Sequence, residues 1–320
     1  MAPPALPHCQ PELPFREQTA IQRTQLELLK KHLAYLAEKS PFYRGRLTEA
    51  GLGPGDLSTM EDLARFPLTD KRDLEVYGQD LLCVPHEEVV DSCLTSGTTG
   101  HPVTLLQTSF DLERLAYNEE CSFRAAGIDA TDRVLIAATL DRCFMAGLAY
   151  FLGLNRIGAT AIRGGSSSIP VLAELIRSQR PTALVGVPSL MAAVAVQLQT
   201  NGDNPAEIGV TRMLCIGEPI RTPGFKPSPL GARLAELWQT EVFGTYASTE
   251  MATAFTDCVA GCGGHLLPDL MVVELLDEEG QPVPPGTPGE VVATPLQVTG
   301  MPLLRFRTGD IAVLHDEPCR

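Results

Sequence analysis

The run Leu94-Thr95-Ser96-Gly97-Thr98-Thr99-Gly100 concentrates hydroxyl side chains and glycines directly after an apolar segment. Glycines let the main chain come close to an anion, successive N–H groups can converge on one oxygen, and Thr and Ser hydroxyls add neutral donors. Such a turn suits the phosphates of a nucleotide, so ATP chemistry is the first expectation. It is not a Walker A loop, which needs a Gly-Lys-Ser/Thr ending that opens a helix. Here Gly100 leads into His101-Pro102 and then Val103-Thr104-Leu105-Leu106, which reads as a second strand. Taken alone, the run also fits an ordinary surface turn.

Three other constellations carry chemistry. Phe243-Gly244-Thr245-Tyr246-Ala247-Ser248-Thr249-Glu250 puts an aromatic ring and a carboxylate at the end of an apolar strand. Leu304-Arg305-Phe306-Arg307-Thr308-Gly309-Asp310 puts a carboxylate in a glycine turn behind two arginines. Cys258, Cys262 and His265 lie close together and Cys319 follows a segment of strands. Thiolate and imidazole at short spacing favour tetrahedral Zn2+; the alternative is a set of free thiols and a turn histidine.

The elements that must position these groups follow from periodicity. Arg16 to Lys39 carries Leu26, Leu29, Leu33 and Leu36 as a helical seam that stops at Ser40-Pro41. Gly51 to Asp56 reads as a turn, and residues 58 to 82 as short helices leading to a strand over Glu88 to Leu94. From residue 109 helices and strands alternate. The expected helices run from 109 to Ala126, from about 144 to 157, and over Val171 to Gln179, Ser189 to Leu198 and Leu230 to Gln239. The expected strands are Val134 to Ala138, Ala159 to Ile162, Ala183 to Val187, Arg212 to Ile216 and Glu241 to Thr245. Such alternation builds a parallel sheet covered by helices, with ligands outside the carboxyl ends of the strands. Beyond residue 264 the helical period fades: Leu270 to Leu276, Gly289 to Thr294 and Ile311 to Leu314 read as strands of a small β subdomain. The expected division is 1–88 as an N-terminal helical region, 89–255 as an α/β nucleotide-binding core and 256–320 as the β-rich part.

Composition excludes other classes. With 44% hydrophobic and 20% charged residues in 320 positions, the chain can bury a substantial core. A formal charge of −14 disfavours nucleic acid and anionic membrane surfaces, both of which demand clustered Lys and Arg. No apolar run is long enough to span a bilayer, and the first residues lack a signal peptide's basic start and apolar core. A cytoplasmic location is therefore expected. Nine cysteines, an odd and mostly scattered number, speak against a disulfide framework. Nothing in the sequence sets an oligomeric state; a dimer is open.

The order and separation of the glycine-rich turn and the two carboxylate motifs are similar to those of the adenylate-forming superfamily of acyl-CoA synthetases, luciferases and adenylation domains. More narrowly, the chain resembles the phenylacetate-CoA ligase family from about residue 40 onward. Ser40-Pro41-Phe42-Tyr43 and Asp62-Leu63-Ala64-Arg65-Phe66-Pro67-Leu68-Thr69-Asp70-Lys71 are that family's lead-in to the phosphate loop. The resemblance implies an α/β fold, the helix-covered, mainly parallel sheets of an adenylate-forming N-terminal domain with a small C-terminal β subdomain. It also implies ATP/AMP, Mg2+ and CoA as ligands, and a small carboxylic acid as substrate.

Residue by residue, the resemblance assigns Thr95, Ser96, Gly97, Thr98, Thr99 and Gly100 to the β- and γ-phosphates. His101 stands where relatives usually carry Lys, and an imidazole is charged only part of the time near neutral pH. Glu250 is assigned to Mg2+, a hard cation that prefers a carboxylate plus phosphate oxygens, although Glu250 or Thr249 can equally cap a following helix. Asp310 is assigned to the ribose hydroxyls through charge-assisted hydrogen bonds. Arg307 is within reach of a phosphate, and Arg305 reads equally as a surface ion pair. Gly217, Glu218 and Pro219 form the loop under the adenine, with Tyr246 to stack on the ring and Ala247, Ser248 and Thr249 beside it.

The acid pocket is assigned to the segment Thr139 to Gly147, with Asp141, Phe144 and Gly147 in it. Phe144 keeps an aromatic character, whereas burying Asp141 and Arg142 beside a plain phenyl ring is costly unless they are paired. Either these two face solvent or the acid carries polar groups, and an aryl or other small acid is expected. Cys258 and His265 match a structural metal pair of the family, which makes Cys258, Cys262, His265 and Cys319 the candidate zinc ligands. Family members continue for about another hundred residues as a mobile domain, expected to be absent here, and adenylate formation and thioester transfer are then expected to be slow. A carrier-protein thiol as acceptor and a non-catalytic nucleotide-binding module are the alternatives.

Overall fold

The computed structural model describes residues 7–95, 102–316 and 319. In chain order the regular elements begin with α1 (Gln18–Lys39), α2 (Pro41–Ala50) and α3 (Lys71–Tyr77), then β1 (Val89–Leu94), β2 (Thr104–Thr108) and α4 (Ser109–Ala125). Alternation follows: β3 (Arg133–Ala137), α5 (Met145–Ile157), β4 (Thr160–Arg163), α6 (Ile169–Gln179), β5 (Ala183–Gly186), α7 (Pro188–Thr200), β6 (Arg212–Ile216), α8 (Pro229–Trp238) and β7 (Glu241–Ser248). The chain then runs through β8 (Thr253–Asp257), β9 (Gly264–His265), β10 (Met271–Leu276), β11 (Pro288–Pro295) and β12 (Phe306–Val313).

Two compact units divide these elements. The first comprises the described residues of Met1–Arg114, Ser248–Thr253 and Leu267–Pro318. Its core joins Leu29, Leu33 and Leu36 of α1 to Phe42, Tyr43, Phe66, Leu296, Leu304 and Phe306. The α1 seam stops where expected: Ser40 leaves helical geometry and its hydroxyl accepts the Tyr43 N–H, so Ser40 ends one helix and caps the next, with Pro41 at the first position. Asp70 and Asp73 cap α3 reciprocally. These lead-in residues have a second purpose. Tyr43 Oη accepts from Leu304 N and hydrogen-bonds Thr69 Oγ1, which donates to the Leu304 carbonyl. Thr69 also exchanges main-chain bonds with Arg305 and Arg307. Two motifs more than two hundred residues apart in sequence thus fix each other, and the start of β12 with them.

The first unit carries the β1–β2 hairpin and the antiparallel sheet β10-β11-β12. The sequence places Arg307 to Asp310 in a turn and begins the last strand at Ile311. In the structure β12 begins at Phe306 and takes in this segment, because the register against β11 shifts between Glu290 and Val292 and Gly309 (φ +78°) supplies the irregularity.

The second unit comprises Leu115–Ala247, Ala254–Leu266 and the described Cys319. Strand order is β4-β3-β5-β6-β7-β8-β9, with β4 through β7 parallel. The central strands are buried on both faces and read as continuous apolar runs, as in Val134-Leu135-Ile136-Ala137 and Ala183-Leu184-Val185. One apolar cluster packs α6, α7 and α8 on one set of strand side chains, and another packs Phe123, Tyr150 and Leu154 on the other. Strands β8 and β9 were not expected from sequence: β9 has only two residues, and Thr253-Ala254-Phe255-Thr256-Asp257 shows neither a continuous apolar run nor a clean alternation. Their presence corrects the alternative reading of Glu250 and Thr249 as helix caps, since a turn into β8 follows them and no helix. No described helix is long and apolar enough to cross a membrane.

Candidate functional site

Ser96, Gly97, Thr98, Thr99, Gly100 and His101 lie outside the described residues. The base of that loop is described. Thr95 is buried, its N–H donates to the Val103 carbonyl, and its hydroxyl accepts the Val103 N–H at 3.0 Å. Thr95 therefore closes the hairpin from which the loop leaves.

At the parallel sheet of the second unit, Ile216 pairs with Thr245, so Gly217 follows the end of β6 at the carboxyl edge where Tyr246 continues the adjacent β7. Ala137 and Gly186 end their strands at that edge, and the segment from Thr139 onward follows the first of them. Gly217 has φ +83°, a conformation that a side chain disfavours although space for one is open. Glu218 turns its carboxylate to the first turn of α7, accepting from Ser189 N and Oγ at 2.8 Å each. Its side chain is thus a helix anchor. Tyr246 is half-buried and stacks on Phe255 at 5.7 Å between ring centroids. Ala247 is exposed.

Asp141, Arg142, Cys143 and Phe144 are all exposed, so without a ligand the two charges are in contact with solvent. Gly147 is buried in the first turn of α5, where a Cβ would stand 2.0 Å from the Thr139 carbonyl oxygen, so the close approach requires glycine.

In the first unit, Ser248, Thr249 and Glu250 are half-buried in the turn ahead of β8. The turn is closed by Met251 N on Ser248 Oγ and Ala252 N on the Thr249 carbonyl. The side chain of Met251 is fully buried, whereas the Glu250 carboxylate has no hydrogen-bond or ion-pair partner among the described residues. A partly sheltered carboxylate with free oxygens suits a hard cation. Arg305 is not a surface residue. Only 3% of its side chain is exposed, it forms a bidentate pair with Glu274 at 2.8 and 2.9 Å, and it donates to the carbonyls of Ala64 and Phe66. Arg307 is exposed and paired with Glu290, which holds its guanidinium above the ordinary range. Asp310 is exposed on β12, with its N–H on Thr308 Oγ1.

Sequence reasoning missed a polar stripe on α4. Asp111, Arg114, Asn118, Glu119 and Ser122 recur at helical spacing and read as a solvated face, yet all are buried. Asp111 accepts from Thr108 N and Oγ1, from Thr299 N and Oγ1 and from Gly300 N. Arg114 is held down to about 10 by burial, with Asp111 and Asp269 opposing, and so stays charged near neutral pH.

Among the described residues Glu119 makes one bond, from Asn118 Nδ2, and its buried Oε2 has no partner. Burial raises its carboxyl from 4.5 to about 7. Because the folded state holds this proton more tightly, unfolding releases it between those values, and stability falls as pH rises through that window. At 1.36 kcal/mol per pH unit the loss is about 3 kcal/mol. Glu119→Gln keeps the Asn118 bond and cannot ionise, so urea unfolding at about pH 8 should show it more stable than wild type by ~1–3 kcal/mol, with no gain near pH 4.5.

In the second unit, β8 and β9 pair Thr256 with His265 and Asp257 with Gly264, which brings Cys258 beside His265. Cys258, His265 and Cys319 present ligand atoms within 4.8 Å of one another. His265 Nε2 is 3.2 Å and Cys319 Sγ 3.5 Å from Cys258 Sγ. A tetrahedral zinc with Zn–S of about 2.3 Å and Zn–N of about 2.0 Å sets S···S near ~3.8 Å and S···N near ~3.5 Å, so the trio fits with small adjustments. Cys262 stands outside the trio, its thiol 3.5 Å from the Ala260 carbonyl. Asp257, buried and bonded to Arg221 and to Gly244 N, fixes the hairpin from behind. Desolvation lowers the His265 imidazole; desolvation, then Cys258 and Cys262, push the Cys319 thiol up to about 11. Metal binding there must expel thiol protons.

Comparison with known proteins places this geometry. The family described as AMP-binding enzyme matches residues 45–300. A phenylacetate-coenzyme A ligase of Thermus thermophilus is 33% identical over 318 residues, 97% of this chain and 69% of that protein. The protein of the same name from Escherichia coli K12 is 29% identical over 92% of this chain and 67% of its own length. Among solved structures, a 2-hydroxyisobutyryl-CoA ligase in complex with 2-HIB-AMP and CoA matches with a TM-score of 0.89 and 27% identity, over 97% of this chain and 67% of that one. The extent of these matches shows that the chain belongs to the AMP-binding enzyme family and is an adenylate-forming ligase of the acyl-CoA ligase type.

Proposed function

We propose that the chain activates a small aryl or other organic acid with ATP and passes the acyl group to the thiol of CoA. The carboxylate oxygen of the acid attacks the α-phosphorus, the bond from that phosphorus to the bridging oxygen of the β-phosphate breaks, and pyrophosphate leaves. The thiol then adds to the acyl carbon and AMP departs with the former carboxylate oxygen. Charge builds on the leaving group, so catalysis is positioning plus electrostatics. Thr95 to Gly100 cradle the β- and γ-phosphates, with His101 beside them. Glu250 holds the magnesium ion, which when bound neutralises phosphate charge. Gly217, Glu218 and Pro219 take the adenine through the main chain, with Tyr246 against its face. Asp310 takes the ribose hydroxyls, and Arg307 reaches phosphate in competition with Glu290.

What supports this reading most is the match over 97% of the chain to a ligase solved with an acyl-adenylate and CoA. The exposure of Asp141 and Arg142 in the free chain weakens the desolvation argument against a plain phenyl ring. Phenylacetate therefore heads the panel, followed by benzoate and hydroxy-substituted acids. Acid-dependent ATP–pyrophosphate exchange across this panel tests the proposal, and a second assay compares CoA with a phosphopantetheinylated carrier as acceptor. Exchange with none of the acids would overturn it.

Cys258, His265 and Cys319 would hold a structural zinc, with Cys262 nearby as the fourth candidate. Protein purified in zinc-containing buffer should carry one equivalent, released by a chelator with a fall in Tm. Cys258→Ser should lose most of the metal, and a wild-type protein at background zinc would contradict the assignment.

A further inference from the structure

We propose that Arg114 is a positioning residue for Glu250, its guanidinium fixing the main chain of the turn that presents this carboxylate to the magnesium–triphosphate; the proposal rests on the role given to Glu250 above. Arg114 is 1% exposed, and its guanidinium makes four hydrogen bonds among the described residues, all to neutral acceptors. Nη1 donates to the Ala252 carbonyl at 2.5 Å, Nη2 to Thr253 Oγ1 at 2.9 Å and to the Leu270 carbonyl at 2.6 Å, and Nε to the Leu296 carbonyl at 2.6 Å. Leu270 and Leu296 are themselves joined, Leu296 N on the Leu270 carbonyl, at the end of the β10–β11 ladder. Two of the four acceptors thus belong to a hydrogen-bonded sheet end and two to Ala252 and Thr253, two and three residues after Glu250. The guanidinium references the turn to that sheet.

The turn depends on such a brace. Ala252 sits in the left-handed region at φ +47°, a conformation costing about 1–2 kcal/mol for a residue with a Cβ, and the bond to its carbonyl holds it there. Relaxation at Ala252 would swing Glu250 two residues upstream. Magnesium demands near-octahedral ligands at about 2.0–2.1 Å and tolerates little displacement, and groups that orient a metal ligand are worth about 10- to 100-fold in metal affinity.

The test is a magnesium titration of ATP–pyrophosphate exchange, using radiolabelled pyrophosphate so that weak variants are readable. Arg114→Lys keeps the charge and loses the fork; Thr253→Val removes one acceptor and serves if the lysine variant does not fold. For Arg114→Lys, magnesium half-saturation is expected to rise about tenfold or more, with metal-free AMP binding unchanged. In a Glu250→Gln background the same substitution should add little, since coupled residues are non-additive. An unchanged magnesium midpoint in folded Arg114→Lys, or an equal shift in both backgrounds, would overturn the role of Arg114 while leaving Glu250 in place. An unchanged midpoint in Glu250→Gln itself would overturn both assignments.

Discussion

Glu250→Gln should lower acid-dependent ATP–pyrophosphate exchange about 100- to 1,000-fold while leaving the fold intact, the range seen when one charge-stabilising group is removed from a reacting centre. The substitution deletes a charge and little else. Glu250 is half-buried and its carboxylate engages no described neighbour, so the unfolding free energy should stay within about 0.5 kcal/mol of wild type. A glutamine oxygen still offers a ligand atom, which is why magnesium half-saturation should rise as well. Exchange within a few-fold of wild type at low magnesium would remove Glu250 from the site.

The largest stability effect is expected at Arg305. Arg305→Met leaves Glu274 charged in a mostly buried position and strips the carbonyls of Ala64 and Phe66 of their donor. Breaking a buried pair from one side costs about 3–5 kcal/mol, measurable as a fall in the urea midpoint. Replacing both partners, Arg305→Met with Glu274→Leu, removes the stranded charge and should recover part of that loss. Recovery stays partial because the two carbonyls remain unpaired. Arg305 precedes Arg307 and Asp310 on the same segment, so exchange activity should fall with stability in the single variant. Equal stability of Arg305→Met and wild type would show the pair to be dispensable.

The contrast between Glu250 and Arg305 shows what the sequence could convey. The parallel sheet was legible because its strands are short apolar runs and its helices keep an apolar face, from Val134 to Thr245. The lead-in motifs at Ser40 and Thr69 stood out as punctuation, but their partners, Leu304, Arg305 and Arg307, lie across the chain and leave no local trace. For the same reason Arg305 reads as a surface charge, since Glu274 is 31 positions away. The stripe Asp111, Arg114, Asn118, Glu119 has the spacing of a solvated helix face, and only the tertiary fold reveals that it is buried. At the metal cluster, types and spacing pointed to Cys258 and His265, while the strands that join them carry no apolar run or alternation to read. The turn expected at Gly309 became an irregularity inside a strand, because glycine marks a bulge as readily as a turn.

Isotope tracing from the acid tests the central claim most directly. With phenylacetate, or whichever panel acid supports exchange, labelled with 18O in the carboxylate, AMP released after acyl transfer or hydrolysis is expected to carry one labelled oxygen, because the carboxylate attacks the α-phosphorus. Label in inorganic phosphate instead, or ATP consumption without AMP, would contradict adenylate formation by this chain.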